Sequence, residues 1–210
     1  MLTLVIGNKN LSSWSLRPWL LLKHMNLAFG ELVLPLDTPR FGAEIGQYSP
    51  TNKVPVLLDE DVVAWDSLAI CEYVNEKALG GAWPKEVNAR AHARAIAAEM
   101  HSGFQALRHD WPMRAAETLS AALSATGLKD VARIDALWQD CRARYGVQGP
   151  WLFGAYSTAD AMYAPVVLRF NTYGAHVSSA ARAYMEQTLA DAALREWLVA
   201  AEREVAITSS

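Results

Sequence analysis

Ser49-Pro-Thr-Asn-Lys-Val-Pro-Val-Leu-Leu-Asp-Glu-Asp-Val-Val-Ala-Trp-Asp-Ser-Leu-Ala-Ile-Cys-Glu-Tyr-Val-Asn-Glu-Lys77 is the stretch around which the chain is read. Two short apolar runs, Val56–Leu58 and Val62–Trp65, flank the polar Asp59-Glu60-Asp61 and predict a β-hairpin. A helix is expected to start at Ser67, whose hydroxyl can cap its first turn, with Leu68, Cys71, Tyr73 and Val74 on the apolar side. Pro55 stands at the mouth of the first strand, where its missing N–H does least harm. Lys53, Val54 and Pro55 fix a turn at the strand entry. Asp66 and Ser67 fall at a helix N-terminus, where free amides and the helix dipole favour a bound carboxylate. On these features alone, a hairpin and a capped helix packed on a sheet account for the stretch as well as a binding site does.

Outward from this segment the chain divides in composition. Before it, Leu2–Ile6 reads as a strand ended by Gly7, Asn8 and Asn10. Leu16–Met25 reads as a helix with Pro18 in its first turn and Ser12, Ser13 and Ser15 at its entrance, one of them as the cap. Glu31–Leu36 reads as a second strand. Pro35, Pro39 and Gly42 then break the chain before a short helix over Ala43–Tyr48. The resulting order βαβαββα is that of a thioredoxin-like α/β domain, expected over residues 1–78.

Past the Gly80-Gly81-Ala82-Trp83-Pro84 linker the strand signals vanish and alanine dominates. A long helix is predicted over Val87–Arg108 and an amphipathic one through Leu128, Val131, Ile134, Trp138, Cys141 and Tyr145, with Thr126-Gly127 as an interruption before it. Ser157-Thr158-Ala159-Asp160 has capping-box spacing with Asp at the acidic position and opens a helix apolar nearly all round, in which Pro165 predicts a kink. Helices about Ser179–Leu189 and Asp191–Val205 complete an all-helical domain over residues 86–205.

The bulk numbers set limits. A chain of 210 residues, 52% hydrophobic and 20% charged, fits one large or two small globular domains. A net charge of −3 argues against nucleic-acid binding. No long apolar run suggests a membrane span and no basic, then apolar, leader is seen, so a cytoplasmic location is expected. Cys71 and Cys141 stand apart in no CxxC pair and are expected to be buried and reduced, and the five histidines lack metal-ligand spacing.

Val54-Pro55-Val56-Leu57, the hairpin and Asp66-Ser67-Leu68-Ala69-Ile70-Cys71-Glu72-Tyr73-Val74 together resemble the glutathione-binding segment of the glutathione S-transferases. The resemblance implies a cis Val54–Pro55 bond and Val54 pairing with the cysteinyl backbone of glutathione. It also implies that Asp66 and Ser67 hold the γ-glutamyl end, with Lys53 on the glycyl carboxylate. Ser157–Ala161 resembles the capping box of the same family's helical domain, so Asp160 is read as structural. Ser12-Ser13-Trp14-Ser15-Leu16-Arg17 resembles the Ser-Ser-Cys-Ser-x-Arg of bacterial serine-type, zeta- and theta-like members, which include the maleylacetoacetate isomerases. It departs from them at Trp14 and at Asp66, where zeta members have Cys and Gln. Carried over, Ser12 donates a hydrogen bond to the glutathione sulfur, with Ser13 as the fallback.

The resemblance further implies a homodimer and an electrophile pocket between the domains. Its candidates are Arg17, Met100, His101, Phe104, Arg108, Trp111 and Tyr163, most of them equally natural packing residues. Arg17, Arg108 and Arg114 are candidates for an acidic substrate. The function implied is a glutathione transferase using glutathione as cosubstrate and no metal, for detoxification of small electrophiles. The alternatives are a glutathione-dependent cis–trans isomerase of a maleyl-type diacid and a non-catalytic glutathione-binding protein. A thiol–disulfide oxidoreductase is disfavoured, because no cysteine stands in the Ser12–Leu16 loop.

Overall fold

The computed structural model describes residues 1–208. Strand β1 (Leu2–Ile6) pairs in parallel with β2 (Phe29–Val33) on one side and antiparallel with β3 (Val56–Asp59) on the other. Strand β4 (Val62–Trp65) closes the sheet in the order β2-β1-β3-β4. The mostly apolar sequence of β1 suits the middle of the sheet, with Leu4, Val5 and Ile6 inaccessible to solvent. Helix α1 (Ser13–His24) makes the crossover that the parallel β1–β2 pair needs, and α3 (Ser67–Lys77) packs on α1.

Several boundaries differ from the sequence expectation for identifiable reasons. Helix α1 starts at Ser13 rather than Leu16, so Pro18 falls in its second turn and not its first, and supplies no N–H to the Trp14 carbonyl. Strand β2 lies earlier than Glu31–Leu36, because its register with β1 ends at Ile6↔Val33. The Leu34 N–H still reaches Ile6 O at 2.9 Å before Pro35 ends the pairing. Strand β3 runs on to Asp59, leaving Glu60-Asp61 as a two-residue turn with Glu60 at φ 53°. Pro39 does not break the chain but opens helix α2 (Pro39–Glu44), where Thr38 caps by accepting from Phe41 N; a 3₁₀ turn (Ile45–Gln47) follows.

The remainder is helical. The single helix expected over Val87–Arg108 is two: α4 (Val87–Ser102) and α5 (Gln105–Asp110). A β-carbon at Gly103 would stand 2.7 Å from the Glu99 carbonyl oxygen, so only glycine lets the chain leave α4 at that angle. Phe104 then takes a left-handed conformation (φ 54°, ψ 41°) and turns its ring into the core. Helix α6 (Ala125–Tyr145) includes Thr126 and Gly127 in its first turn rather than being interrupted by them. Ser124 caps it by accepting from Gly127 N at 3.0 Å, and the Ser124 hydroxyl is held at 2.7 Å by Asp110 of α5.

Helix α7 (Thr158–Tyr173) is buried on nearly every side, and α8 (Ser179–Leu189) and α9 (Ala192–Thr208) complete the fold. Asp160, nearly inaccessible, accepts from Leu152 N (3.0 Å) and the Tyr184 hydroxyl (3.2 Å) on Oδ1. Its Oδ2 accepts from the Ser157 amide and hydroxyl (2.9 Å each). The apolar core under the sheet runs on into this half, where Leu16, Trp19 and Leu20 of α1 share one cluster with Ala161, Ala164 and Leu168 of α7 and Trp197 of α9. Among the described residues no helix is long and apolar enough to cross a membrane.

The Asp160 network yields a stability prediction. Asp160→Asn turns one acceptor into a donor facing the two Ser157 donors. Two buried donors left unmatched at roughly 1–3 kcal/mol each predict a loss of about 2–6 kcal/mol in urea unfolding. Burial pushes the Asp160 carboxyl up to about 6 in the folded chain, above its unfolded value of about 3.9. Ionising it therefore lowers wild-type stability as pH rises from about 4 through 6, and the penalty of Asp160→Asn is larger at pH 4 than at pH 7.

Candidate functional site

At the hairpin end of the sheet, the turn before β3, the start of α3, the entrance of α1 and the far end of α4 enclose a cleft of about 490 Å³. It is lined by Trp14, Thr51, Lys53, Val54, Pro55, Trp65, Asp66, Ser67 and His101. The turn is built by Ser49, whose hydroxyl accepts from Lys53 N (3.2 Å) and whose carbonyl accepts from Asn52 N (3.2 Å), with Asn52 at φ 55°. The Val54–Pro55 bond is cis. Lys53, Val54, Pro55, Asp66 and Ser67, proposed from the sequence as one binding set, share this cleft.

The cap of α3 differs from expectation by one residue. Asp66, not Ser67, is the cap: its Oδ1 accepts from Leu68 N (2.9 Å) and Ala69 N (3.2 Å). Ile70 N donates to the Asp66 carbonyl at 2.9 Å, which leaves the Ser67 amide as the remaining first-turn donor. The Ser67 hydroxyl is buried without a partner. Asp66 holds φ 74°, ψ 134°, a conformation costing a non-glycine residue roughly 1–3 kcal/mol that the surrounding contacts sustain. Its second carboxylate oxygen lies 3.2 Å from His101 Nε2 of α4, bridging the two halves of the chain across the cleft.

The serine loop is arranged otherwise than a simple cap. Ser12 occupies the cap position of α1, but its hydroxyl caps nothing and sits 2.7 Å from the Ser15 hydroxyl, which accepts from Gly7 N at 3.2 Å. The Ser13 hydroxyl accepts from Arg169 Nη2 of α7 at 3.4 Å. Both Ser12 and Ser13 are buried and neither lines the cleft; Trp14 is the residue of this loop that does. The guanidinium of Arg17 lies 3.9 Å and that of Arg108 5.1 Å from the Trp14 ring centre, and the His101 ring meets it edge-on at 5.4 Å.

Of the electrophile-pocket candidates, His101 lines the cleft, and Arg17 and Arg108 back it through Trp14. Met100, Phe104, Trp111 and Tyr163 lie in the helical core instead. Trp111 stacks on Tyr173, and the Tyr163 hydroxyl donates to Ile96 O at 3.1 Å. Arg114 lies elsewhere, in a smaller cavity with Asn10, Glu117 and Glu204. Sequence reasoning missed Thr51 and Trp65, and it took Trp14 only as a departure from a family pattern. A large aromatic between two serines and an arginine was the available signal for Trp14.

Residues 11–77 match the family model described as the N-terminal domain of glutathione S-transferase. This segment is similar to a glutathione S-transferase N-terminal domain. Among curated proteins, a dichloromethane dehalogenase of Methylorubrum extorquens is 50% identical over 38 residues, 18% of this chain and 13% of that protein. A probable maleylacetoacetate isomerase of Caenorhabditis elegans is 33% identical over 98 residues, 46% of this chain and 45% of that protein. Each alignment thus spans less than half of the curated relative. A glutathione transferase homolog from Burkholderia GL BGR1, solved with bound glutathione, superposes on 96% of this chain and 98% of its own with a TM-score of 0.71 at 20% identity. The two-domain glutathione transferase fold, a thioredoxin-like domain followed by a helical one, is therefore shared along nearly the whole length.

Cys71 is fully buried on α3, and burial pushes its thiol well above the ordinary range despite the nearby Arg17 charge. Cys141 is likewise buried, with its thiol raised to about 12. Neither is a nucleophile in the native state. An aromatic disulfide reagent at pH 8 is expected to label neither cysteine in the folded protein and both in guanidinium; rapid labelling of Cys71 in the native state contradicts this burial.

Proposed function

We propose that the chain is a glutathione transferase that binds glutathione in the cleft at the α3 N-terminus and activates its thiol with Ser12. The observation that carries the reading is the convergence on one cleft of Lys53, Val54 and the uncommitted Ser67 amide. A cation, the backbone of the bend at the cis Val54–Pro55 bond and a helix-start donor along one groove complement a tripeptide with a carboxylate at each end. Lys53 takes the glycyl carboxylate, Val54 the cysteinyl backbone, and Ser67 the γ-glutamyl carboxylate through both its amide and its otherwise unpartnered hydroxyl. Asp66 stands beside the γ-glutamyl ammonium while its Oδ1 keeps the helix cap.

The hydroxyl pair supplies direction for the chemistry. Because Ser15 Oγ already accepts from the Gly7 amide, its proton is free to go to Ser12 Oγ, and the Ser12 proton is then left for a sulfur that reaches past Trp14 from the cleft to the buried hydroxyl. A free thiol titrates near ~8.5, and lowering it by about two units requires roughly 2.7 kcal/mol of preference for the thiolate. A hydrogen bond to a charged group contributes about 1.5–3 kcal/mol and a helix N-terminus about 0.3–1. Ser12 at the start of α1 therefore suffices without a general base. The thiolate attacks the electrophile, forming the C–S bond as the leaving group departs with its electron pair, or adds to a conjugated double bond whose π pair moves to the far end and takes a proton from water.

A second reading, a glutathione-dependent cis–trans isomerase of a maleyl-type diacid, is favoured by the alignment with the probable maleylacetoacetate isomerase. In that reaction the thiolate adds, the former double bond rotates, and the thiolate is expelled unchanged. We also propose a homodimer. Strand β4, at the sheet edge, leaves Val62, Val63 and Trp65 each more than two-fifths exposed, an apolar surface suited to a second copy.

Two measurements test the site. In calorimetric titration with glutathione, Lys53→Ala and Ser67→Ala each weaken binding about tenfold; unchanged affinity in both places the site elsewhere. Ultraviolet titration of the bound thiolate is expected to show Ser12→Ala raising its pKa by roughly one to two units, with little change in affinity at low pH. Ser15→Ala raises it less, and Ser13→Ala less still. A larger shift in Ser13→Ala moves the role to that residue. No shift in any serine variant favours a protein that binds glutathione without activating it.

A further inference from the structure

Behind Trp14 three guanidinium groups meet where α1, α5 and α7 come together. Arg17 is wholly buried. Its Nε donates to Met162 O at 3.2 Å, while Nη1 and Nη2 have no hydrogen-bond partner. Burial first, then the charges of Arg169 and Arg108, lower its pKa to about 9, which leaves it protonated at neutral pH. Arg108 makes no ion pair among the described residues. Arg169 differs in kind, because all three of its nitrogens are engaged: Nε with Trp111 O, Nη1 with Pro165 O and Nη2 with Ser13 Oγ. It is a brace that adds positive charge.

Asp66 acts on Arg17 and Asp130 on Arg108, but both carboxylates are already engaged, Asp66 on the α3 amides and His101 and Asp130 on the Leu107 amide. Among the described residues no carboxylate makes an ion pair with any of the three cations. Among the described residues the Trp14 ring is the group against the Arg17 guanidinium face, and cation–π contact returns less than removing a charge from water costs. The fork of unpartnered Nη groups matches a planar carboxylate bidentately.

We infer that Arg17 and Arg108, behind the ring of Trp14, form an anion subsite that selects an electrophile bearing a carboxylate on a flat unsaturated or aromatic frame. The inference rests on the transferase reading for its chemistry but not for its binding. Trp14 stands on the wall of the glutathione cleft, so a substrate stacked on the indole and reaching past it presents its reactive carbon to that cleft while its carboxylate exchanges cation–π contact for paired hydrogen bonds. With 4-chloro-3-nitrobenzoate the sulfur bonds to C4 and chloride leaves with the C–Cl electron pair. The carboxylate meta to the nitro group takes no part and serves as the handle.

The binding test uses the whole chain and a non-reactive pair of probes, benzoate and benzamide, titrated by calorimetry with and without saturating glutathione. Wild type is expected to bind benzoate at least about tenfold more tightly than benzamide, the scale of one hydrogen bond to a charged group. The preference falls to about twofold or less in Arg108→Met and in Arg17→Met, with glutathione affinity within about twofold of wild type. Trp14→Ala keeps the preference, since the cations remain. Arg108 is only half-buried, so its variant decides the matter if Arg17→Met fails to fold. In turnover, kcat/KM for 4-chloro-3-nitrobenzoate relative to the corresponding benzamide, each divided by its uncatalysed rate with glutathione, falls in the same variants. Equal affinities for the two probes in wild type, a preference that survives Arg108→Met, or one that vanishes only in Trp14→Ala overturns the subsite. Loss of turnover with an intact benzoate preference instead counts against the transferase reading alone.

Discussion

The buried contact between α1 and α7 is the constraint on which the rest of the structure depends. Helix α7 can lie in the middle of the molecule only because its start is fully paired: Asp160 accepts four hydrogen bonds, and Thr158 ties its amide (2.8 Å) and hydroxyl (3.1 Å) to Ala82 O in the linker. Once there, it offers the Met162 carbonyl to Arg17 and sends Arg169 to Ser13, so the helix that organises the second half also fixes the serine loop of the first. An apolar α7 without those polar anchors would pack equally well in several rotations about its own axis.

The cleft is composite for the same reason. Its floor is sheet and turn, its donor end is the start of α3, and its wall is one residue from each half, Trp14 and His101, in edge-to-face contact. The Asp66 carboxylate joins these parts, with one oxygen on helix amides and the other facing His101. Local capping chemistry and long-range assembly therefore meet in a single side chain.

What could be read in advance follows the range of the interactions involved. The hairpin, the α3 start and the Ser157–Asp160 cap are set by residues within a few positions of one another, and the sequence displays them. Cap identity was off by one at Asp66, because a positive φ there depends on the sheet and α4 holding it. The α4–α5 break hid in a single glycine whose reason is a backbone oxygen one turn earlier, invisible to helix propensity, which favours the whole run. The burial of Arg17 and the retreat of Phe104, Trp111 and Tyr163 into the core were illegible because each depends on contacts tens of residues distant. Periodicity reports that a face is apolar, not which neighbour covers it.

The loop that carries the serines is held from the far end of the chain. Glu204 of α9 accepts from the Lys9 and Asn10 amides at 2.9 and 3.0 Å, Trp197 donates to Lys9 O at 2.7 Å, and Asn10 exchanges hydrogen bonds with Ala115, Ala116 and Glu117. These contacts join residues nearly two hundred positions apart. The geometry around Ser12 therefore has no template until α9 has docked. A chain clipped before α9 would keep the local turn at the entrance of α1 and lose the hydrogen bonds that set it, so that the loop's order reports on a helix nearly two hundred residues away.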